Sequence, residues 1–314
     1  MNPPLSTTKV RRLNLENNRE QGSRAEFIEG LFLGLTECGF AVIHGHGIKE
    51  KLLQDAYALN EALFALPLEE KMTLAVGQGG ERGYTAFGRE YAKDNPHADL
   101  KEFWHIGPEL SSDSPYAGAY PDNVWPTEPA EFKTCFLGLY RQLLDVAQQL
   151  LQAVGRALDL QDDFFDDLTA DGNSVLRLIH YPPVAGMNTE LQMRAAPHAD
   201  INLMTLLVGA TDSGLQLLDH DGSWINVESE PGDIIVDTGD MMARLTNHAL
   251  PATIHRVINP DNSHTSRYSM PFFVHPHGKA LLECLPQFKD GSEAAPITAG
   301  DFLEQRLREN GLKS

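Results

Sequence analysis

The spacing of apolar residues along this 314-residue chain changes character near residue 174. Upstream, the clearest signal is helical. Phe132, Phe136, Tyr140, Leu143, Ala147, Leu150, Val154 and Leu158 recur every three or four positions, which predicts one long helix over roughly 129–158 with a continuous core-facing stripe. Phe27, Leu31 and Leu35 repeat the pattern after Ser23-Arg24-Ala25-Glu26, a capping-box arrangement. After a helix stop, Gly39-Phe40-Ala41-Val42-Ile43 reads as a short strand. Downstream the runs shorten and turn signals separate them. VLRLIHY, LMTLLVGA, LQLL, WINV, DIIVDTGD, TIHRVI and RYSMPFFVH each have the length of a strand. Asp221-Gly222 sits between two of them as a hairpin turn, and Pro231-Gly232-Asp233 and Asn259-Pro260-Asp261 mark loops. Thr298 to Arg308 predicts a final capped helix.

Many short strands with regular turns imply a sandwich or barrel. The predicted fold class is therefore α+β with a mainly β core. A helical region with short strands spans 1–170, a β core 171–282, and a C-terminal helical segment 283–314. No Pro/Gly/Ser-rich linker or repeat separates them, so the first region is expected to be integral to one domain. The chain carries a net charge of −19, which repels phosphate backbones and argues against a nucleic-acid partner. No apolar run reaches the ~18 residues of a membrane span. The N-terminus has no apolar stretch of the secretory kind. Cys38, Cys135 and Cys284 are widely spaced and odd in number, as expected of reduced thiols in a cytoplasmic protein.

Chemistry enters with the histidines. His-Ala-Asp occurs twice, at 97–99 and 198–200. The first copy lies in a polar stretch with no obvious strand run beginning beside it. The second directly precedes LMTLLVGA inside the β-rich half. On a strand, residues two apart share a face, so His198 and Asp200 are expected to aim at one point while Ala199 faces away. His255, in the β-branched run Thr253-Ile254-His255-Arg256-Val257, is the natural third ligand. Two imidazoles and one carboxylate on one side of an ion make the facial triad used by non-haem Fe(II) oxygenases, whose open positions admit co-substrate and O2. Arg267 and Ser269 again share a face at the start of a strand and can clamp a carboxylate. His44, His46, His275 and His277 have spacings that suit zinc poorly without nearby cysteines, and read as loop or strand-end residues.

Taken together, H-A-D-x-x-x-x-T-L-L, I-H-R-V and R-Y-S-M-P-F-F resemble the 2-oxoglutarate/Fe(II)-dependent dioxygenase superfamily, and more narrowly its isopenicillin N synthase-like branch. Gly39-Phe40 with His44-Gly45-His46-Gly47, Lys101-Glu102-Phe103-Trp104-His105 and Tyr181-Pro182-Pro183 are similar as well, so the resemblance covers about 22–308. It implies a double-stranded β-helix, or jelly roll, buttressed by helices. It also implies Fe(II), O2 and 2-oxoglutarate as co-substrate, with Arg267, Ser269 and Tyr181 on the distal carboxylate. Plant members often carry asparagine two residues before that tyrosine; here the residue is Ile179. The presence of Asp200 disfavours halogenation, because family halogenases lack this carboxylate. The resemblance places Tyr84, Phe87 and Arg89 near the pocket mouth, and Trp104, His105 and Phe273 similarly, as candidate contacts to a small-molecule substrate. Two alternatives remain open: an oxidase of the same branch that uses no 2-oxoglutarate, and a non-catalytic metal-binding jelly roll. Neither the prime substrate nor the oligomeric state is readable from the sequence.

Overall fold

A computed structural model describes residues 10–75, 82–91, 96–187, 189, 192–260, 262 and 264–309. The leading residues 1–9, and Asp261 of the second loop marker, lie outside them. The first half runs β1 (Arg11–Asn14), α1 (Glu16–Arg19), α2 (Arg24–Glu37), β2 (Phe40–His44), α3 (Glu50–Ala65), α4 (Leu68–Thr73), β3 (Gly83–Thr85), β4 (Glu102–Ile106), α5 (Glu131–Ala157) and α6 (Phe164–Thr169). The second runs β5 (Val175–Tyr181), β6 (Ala195–His198), β7 (Met204–Val208), β8 (Leu215–Leu218), β9 (Trp224–Asn226), β10 (Ile234–Thr238), α7 (Asp240–Leu245), β11 (His255–Val257) and β12 (Arg267–Val274). Residues β13 (Leu281–Leu282), β14 (Ile297–Thr298) and α8 (Ala299–Glu309) close the chain.

Two sheets face each other. The larger has eight strands in the order β1-β2-β10-β7-β12-β5-β4-β3, and the smaller four in the order β6-β11-β8-β9. The periodicity of the long helix is realised in α5, whose stripe from Phe132 to Val154 is buried. With α2 and α3 it covers one face of the large sheet, touching β2, β5, β7 and β12. The other face meets the small sheet through a second apolar cluster that includes Phe40, Phe103, Ile179, Leu217, Ile235 and Val257. All seven strand runs of the second half are observed, and β8 and β9 form the hairpin around Asp221-Gly222, where Gly222 adopts a φ of 83°.

Two local expectations are corrected and one holds. Ser23 precedes α2 but makes no side-chain cap: its hydroxyl donates instead to the carbonyl of Asn17 at 3.2 Å, which takes it away from the helix terminus. At the other end of the chain, Thr298 Oγ1 does accept from the backbone N–H of Asp301, at 3.2 Å, and α8 is capped. The N-terminal region contributes more strand than its helical periodicity indicates. Four of its segments, β1 to β4, belong to the large sheet. All four are only three to five residues long, too short for periodicity to register, and of them only β2 is read as a strand from the sequence.

The alternation of β4 decides the fate of two candidate substrate residues. Lys101, Phe103 and His105 turn toward the space between the sheets, so Glu102, Trp104 and Ile106 turn toward the helices. Trp104 is fully buried there, edge-on to Phe132 with ring centroids 5.8 Å apart. Tyr84, its cross-strand partner, also faces the helices and donates its hydroxyl to Glu102 at 2.5 Å. Glu102 in turn holds Lys71 at 2.8 Å and His180 at 2.7 Å. Trp104 and Tyr84 are therefore core residues. Trp104→Ala is expected to cost about 3–5 kcal/mol in equilibrium urea unfolding; a loss below about 1 kcal/mol would contradict the core placement.

Candidate active site

A cleft of about 580 Å³, its open mouth included, lies between the two sheets. That size is ordinary for a small-molecule site. Its walls follow from strand register: directly paired residues point to the same face, so each cross-strand row projects together. Phe40, Asp237, Thr205 and Phe273 form one such row across β2, β10, β7 and β12, and Arg267 and Tyr181 form another across β12 and β5. All six line the cleft.

His198, Asp200 and His255 converge from the small sheet and its exit loop. One ligand atom from each lies within 4.8 Å of the others, and no other such group of His, Cys, Asp or Glu occurs among the described residues. His198 and His255 are register partners across the antiparallel pair β6/β11. Asp200 is not on the strand as the i, i+2 argument expects. β6 ends at His198, and Asp200 stands in the crossover that leads to β7 in the opposite sheet. Its position is set by other contacts. The Asp200 carbonyl accepts from Asp240 N at 2.8 Å, and the Thr205 hydroxyl donates to Oδ2. Thr205 accepts in turn from Asn202 Nδ2 at 2.9 Å. With Oδ2 engaged, Oδ1 is the free oxygen, 3.9 Å from His198 Nε2 and 3.8 Å from His255 Nε2. Each imidazole is turned by a backbone carbonyl on its Nδ1, Ala196 O at 2.7 Å and Thr253 O at 3.1 Å, which presents both Nε2 atoms inward. Burial, followed by the neighbouring His198, pushes His255 down to about 4, so its imidazole is neutral, the form that binds metal. The first His-Ala-Asp copy does other work: Asp99 pairs with Lys101 at 2.9 Å and accepts from Ala196 N at 3.0 Å.

Arg267 and Ser269 also line the cleft and are almost fully buried. Arg267 donates Nε to the carbonyl of Asp212 at 3.1 Å, while its buried Nη1 has no hydrogen-bond partner among the described residues. Its guanidinium lies 5.0 Å from the Tyr181 ring. A buried guanidinium with no carboxylate beside it is costly unless an anion completes it. Of the remaining candidates, Phe273 and His105 face the space between the sheets, and Phe273 lines the cleft. Phe87 and Arg89 are exposed in the loop after β3, outside the cleft lining. Thr205, Asp237, Lys101 and Arg177 line it as well, although the sequence assigned none of them a role. Asp237 is buried, its Oδ2 has no partner among the described residues, and burial together with Asp200 raises its pKa well above the ordinary value.

Comparison with known proteins agrees with this geometry. Residues 10–128 match the family described as non-haem dioxygenase in morphine synthesis N-terminal, and residues 172–276 match the 2OG-Fe(II) oxygenase superfamily. A 2-oxoglutarate-Fe(II) type oxidoreductase of Aspergillus fumigatus is 31% identical over 282 residues, covering 86% of this chain and 83% of the relative. The oxidoreductase hxnY of Emericella nidulans is 32% identical over 286 residues, covering 87% and 81%. A crystal structure of a 2OG-Fe(II) oxygenase family protein from Caulobacter crescentus superposes with a TM-score of 0.86 at 38% identity, covering 96% of this chain and 99% of that one. Full-length Neurospora crassa T7H in complex with alpha-KG superposes with a TM-score of 0.84 at 26% identity, covering 95% of each chain. The chain belongs to the 2-oxoglutarate/Fe(II)-dependent oxygenase superfamily, in the isopenicillin N synthase-like branch. It is an oxidoreductase whose cofactors are Fe(II) and 2-oxoglutarate. No helix among the described residues is long and apolar enough to cross a membrane.

Hydrogen-bonded partners of metal ligands carry a measurable share of affinity. Thr205→Val, which keeps the shape and removes the hydroxyl, is expected to weaken Fe(II) binding about tenfold in competition with a chelator. His97→Ala is expected to leave it unchanged. Loss of metal in His97→Ala would mean that the first His-Ala-Asp copy is the ligand.

Proposed function

We propose that this protein hydroxylates a small molecule, with His198, Asp200 and His255 holding Fe(II) and Arg267, Ser269 and Tyr181 holding the distal carboxylate of 2-oxoglutarate. The observation that carries the reading is the pairing of two unlike sites in one cleft. One is a His-Asp-His group with a free carboxylate oxygen. The other is a buried arginine with an unpartnered Nη1. The donor set fits a ferrous ion: two neutral nitrogens and one oxygen on one side leave the opposite side open. The arginine fits the anionic end of the co-substrate. Neurospora crassa T7H, 26% identical, is described with alpha-KG alone, with alpha-KG and thymine, and with alpha-KG and 5-formyluracil, which supports the same reading.

When bound, Fe(II) and 2-oxoglutarate supply an oxidative decarboxylation that yields succinate and carbon dioxide and places one atom of O2 in a C–H bond of the substrate. The protein's own part is positional. Thr205 fixes which oxygen of Asp200 faces the ion. The carbonyls of Ala196 and Thr253 set both imidazole rings. Leu207, Leu215, Ile235 and Val257 supply apolar wall that keeps water out.

The two facing sheets support reading residues 171–282 as the double-stranded β-helix, or jelly roll, of the superfamily. Residues 1–170 and 283–314 belong to the same domain in this reading, because β1 to β4 complete the sheet that carries β5, β7, β10 and β12. Charge and composition support a cytoplasmic protein with a small-molecule partner.

Purified protein with Fe(II), O2 and 2-oxoglutarate is expected to form succinate slowly without added substrate. Arg267→Ala is expected to raise the 2-oxoglutarate concentration needed for half-maximal turnover by about 100-fold, the equivalent of roughly 3 kcal/mol for a charge-assisted pair, with Fe(II) affinity unchanged. An unaltered 2-oxoglutarate requirement would refute the clamp.

A further inference from the structure

One wall of the cleft carries charge that neither the metal nor the co-substrate uses. Lys101 and Arg177 both line it. Arg177 projects from β5 opposite His105 of β4. Its Nε donates to His105 Nε2 at 2.5 Å and its Nη1 to Glu90 at 3.1 Å. Glu90 also pairs with Lys101 at 2.6 Å, and Lys101 has a second carboxylate, Asp99, at 2.9 Å. The guanidinium carbon lies 4.3 Å from the Phe103 ring and 5.2 Å from that of Phe273. Phe273 itself lines the cleft. Nη2 of Arg177 makes no hydrogen bond among the described residues.

The contrast with Arg267 is informative. Arg267 has no carboxylate partner among the described residues and a vacant, buried Nη1. Its charge is uncompensated until an anion arrives. Arg177 and Lys101 are two cations matched by two carboxylates, Glu90 and Asp99. Burial alone pushes Glu90 up and Lys101 down. The ion pairs reverse both, holding Glu90 below the ordinary carboxylate range and Lys101 above the ordinary amine range, so the network stays ionised and balanced. A carboxylate entering here would lose its water and bring a third negative charge to a wall with no spare positive one among the described residues. A carbonyl oxygen needs only a donor, and Nη2 is one. Phe273 offers an aromatic surface next to that donor.

We propose that Arg177 is a specificity-determining residue for the prime substrate, that its Nη2 donates to a carbonyl oxygen of an uncharged, flat ring lying against Phe273, and that this wall rejects a free carboxylate. The inference rests on the cleft being the oxygenase site and deepens that reading by naming a substrate class.

The test is anaerobic calorimetry on the Fe(II)-loaded protein at saturating 2-oxoglutarate. The probes are matched pairs: uracil against orotate, and 2-pyridone against 2-pyridone-6-carboxylate. The neutral member of a pair is expected to bind at least tenfold more tightly than its carboxylate. Arg177→Met is expected to weaken the neutral probe at least tenfold, and Arg177→Lys to recover little, because an ammonium keeps the charge but not the fork. Both variants are expected to bind 2-oxoglutarate within twofold of the parent, a result that general unfolding would not give. The proposal is overturned if the carboxylates bind as well as the neutral rings, if neither kind binds, or if Arg177→Met binds the neutral probe undiminished. Failure of the parent protein to bind 2-oxoglutarate would instead remove the functional reading, and this inference with it.

Discussion

The structure depends on the place where one carboxylate bridges its two sheets. His198 and His255 face each other across the β6/β11 pair of the small sheet. Asp200 lies beyond the end of β6, yet its Oδ2 is held by Thr205 of β7 in the large sheet and its carbonyl by the first turn of α7. The three ligand atoms thus come together only when both sheets are formed and docked. This couples folding to the assembly of a metal site, and it explains why a polar group is tolerated where apolar packing would otherwise join the sheets. The surrounding apolar cluster, with Leu217 fully buried and Phe40 edge-on to His255 at 5.6 Å, fixes the sheet separation that the contact requires.

Strand alternation then distributes every other role. Within the large sheet, one side of each strand belongs to the helices and the other to the cleft. Along β5, Leu176, Leu178 and His180 face the helices, and Arg177, Ile179 and Tyr181 the cleft. Along β12, Arg267, Ser269, Pro271 and Phe273 all project inward. The proposed clamp of Arg267, Ser269 and Tyr181 and the neutralised Arg177 wall are consequently parts of one surface, separated by a few residues along two paired strands. The two arginines on this surface differ above all in whether a carboxylate already compensates them.

Much of this was readable from the chain, for reasons that can be named. The seven strand runs after residue 174 are bounded by strong turn residues, and a run such as VLRLIHY contains its own register. His198 and Asp200 adjoin in sequence, and Arg267 and Ser269 share a face by period alone. The misses involve non-local information. Tyr84 and Trp104 sit in segments whose facing depends on how β3 pairs with β4 and β4 with β5, and no local pattern says which side of β4 is inward. Lys101 and Glu90 meet Arg177 only after that pairing. Arg177 did leave a trace: it is a charged residue on the same face as Tyr181 in an otherwise apolar strand. Thr205 was visible within the H-A-D-x-x-x-x-T motif, but its function was not, because Asp200 leaves the strand to reach it. Ser23 shows the opposite failure, a correct helix boundary with the wrong reason, its hydroxyl being taken by Asn17.

The central claim is that one carboxylate oxygen and two imidazoles hold a ferrous ion to which 2-oxoglutarate binds directly. Anaerobic addition of 2-oxoglutarate to the Fe(II)-loaded protein tests it in one titration, through the visible charge-transfer band that a chelated 2-oxo acid gives with Fe(II). The expected band saturates at one equivalent, requires both components, and is missing from Asp200→Ala. Binding of 2-oxoglutarate without the band, or a band of full strength in Asp200→Ala, would contradict it.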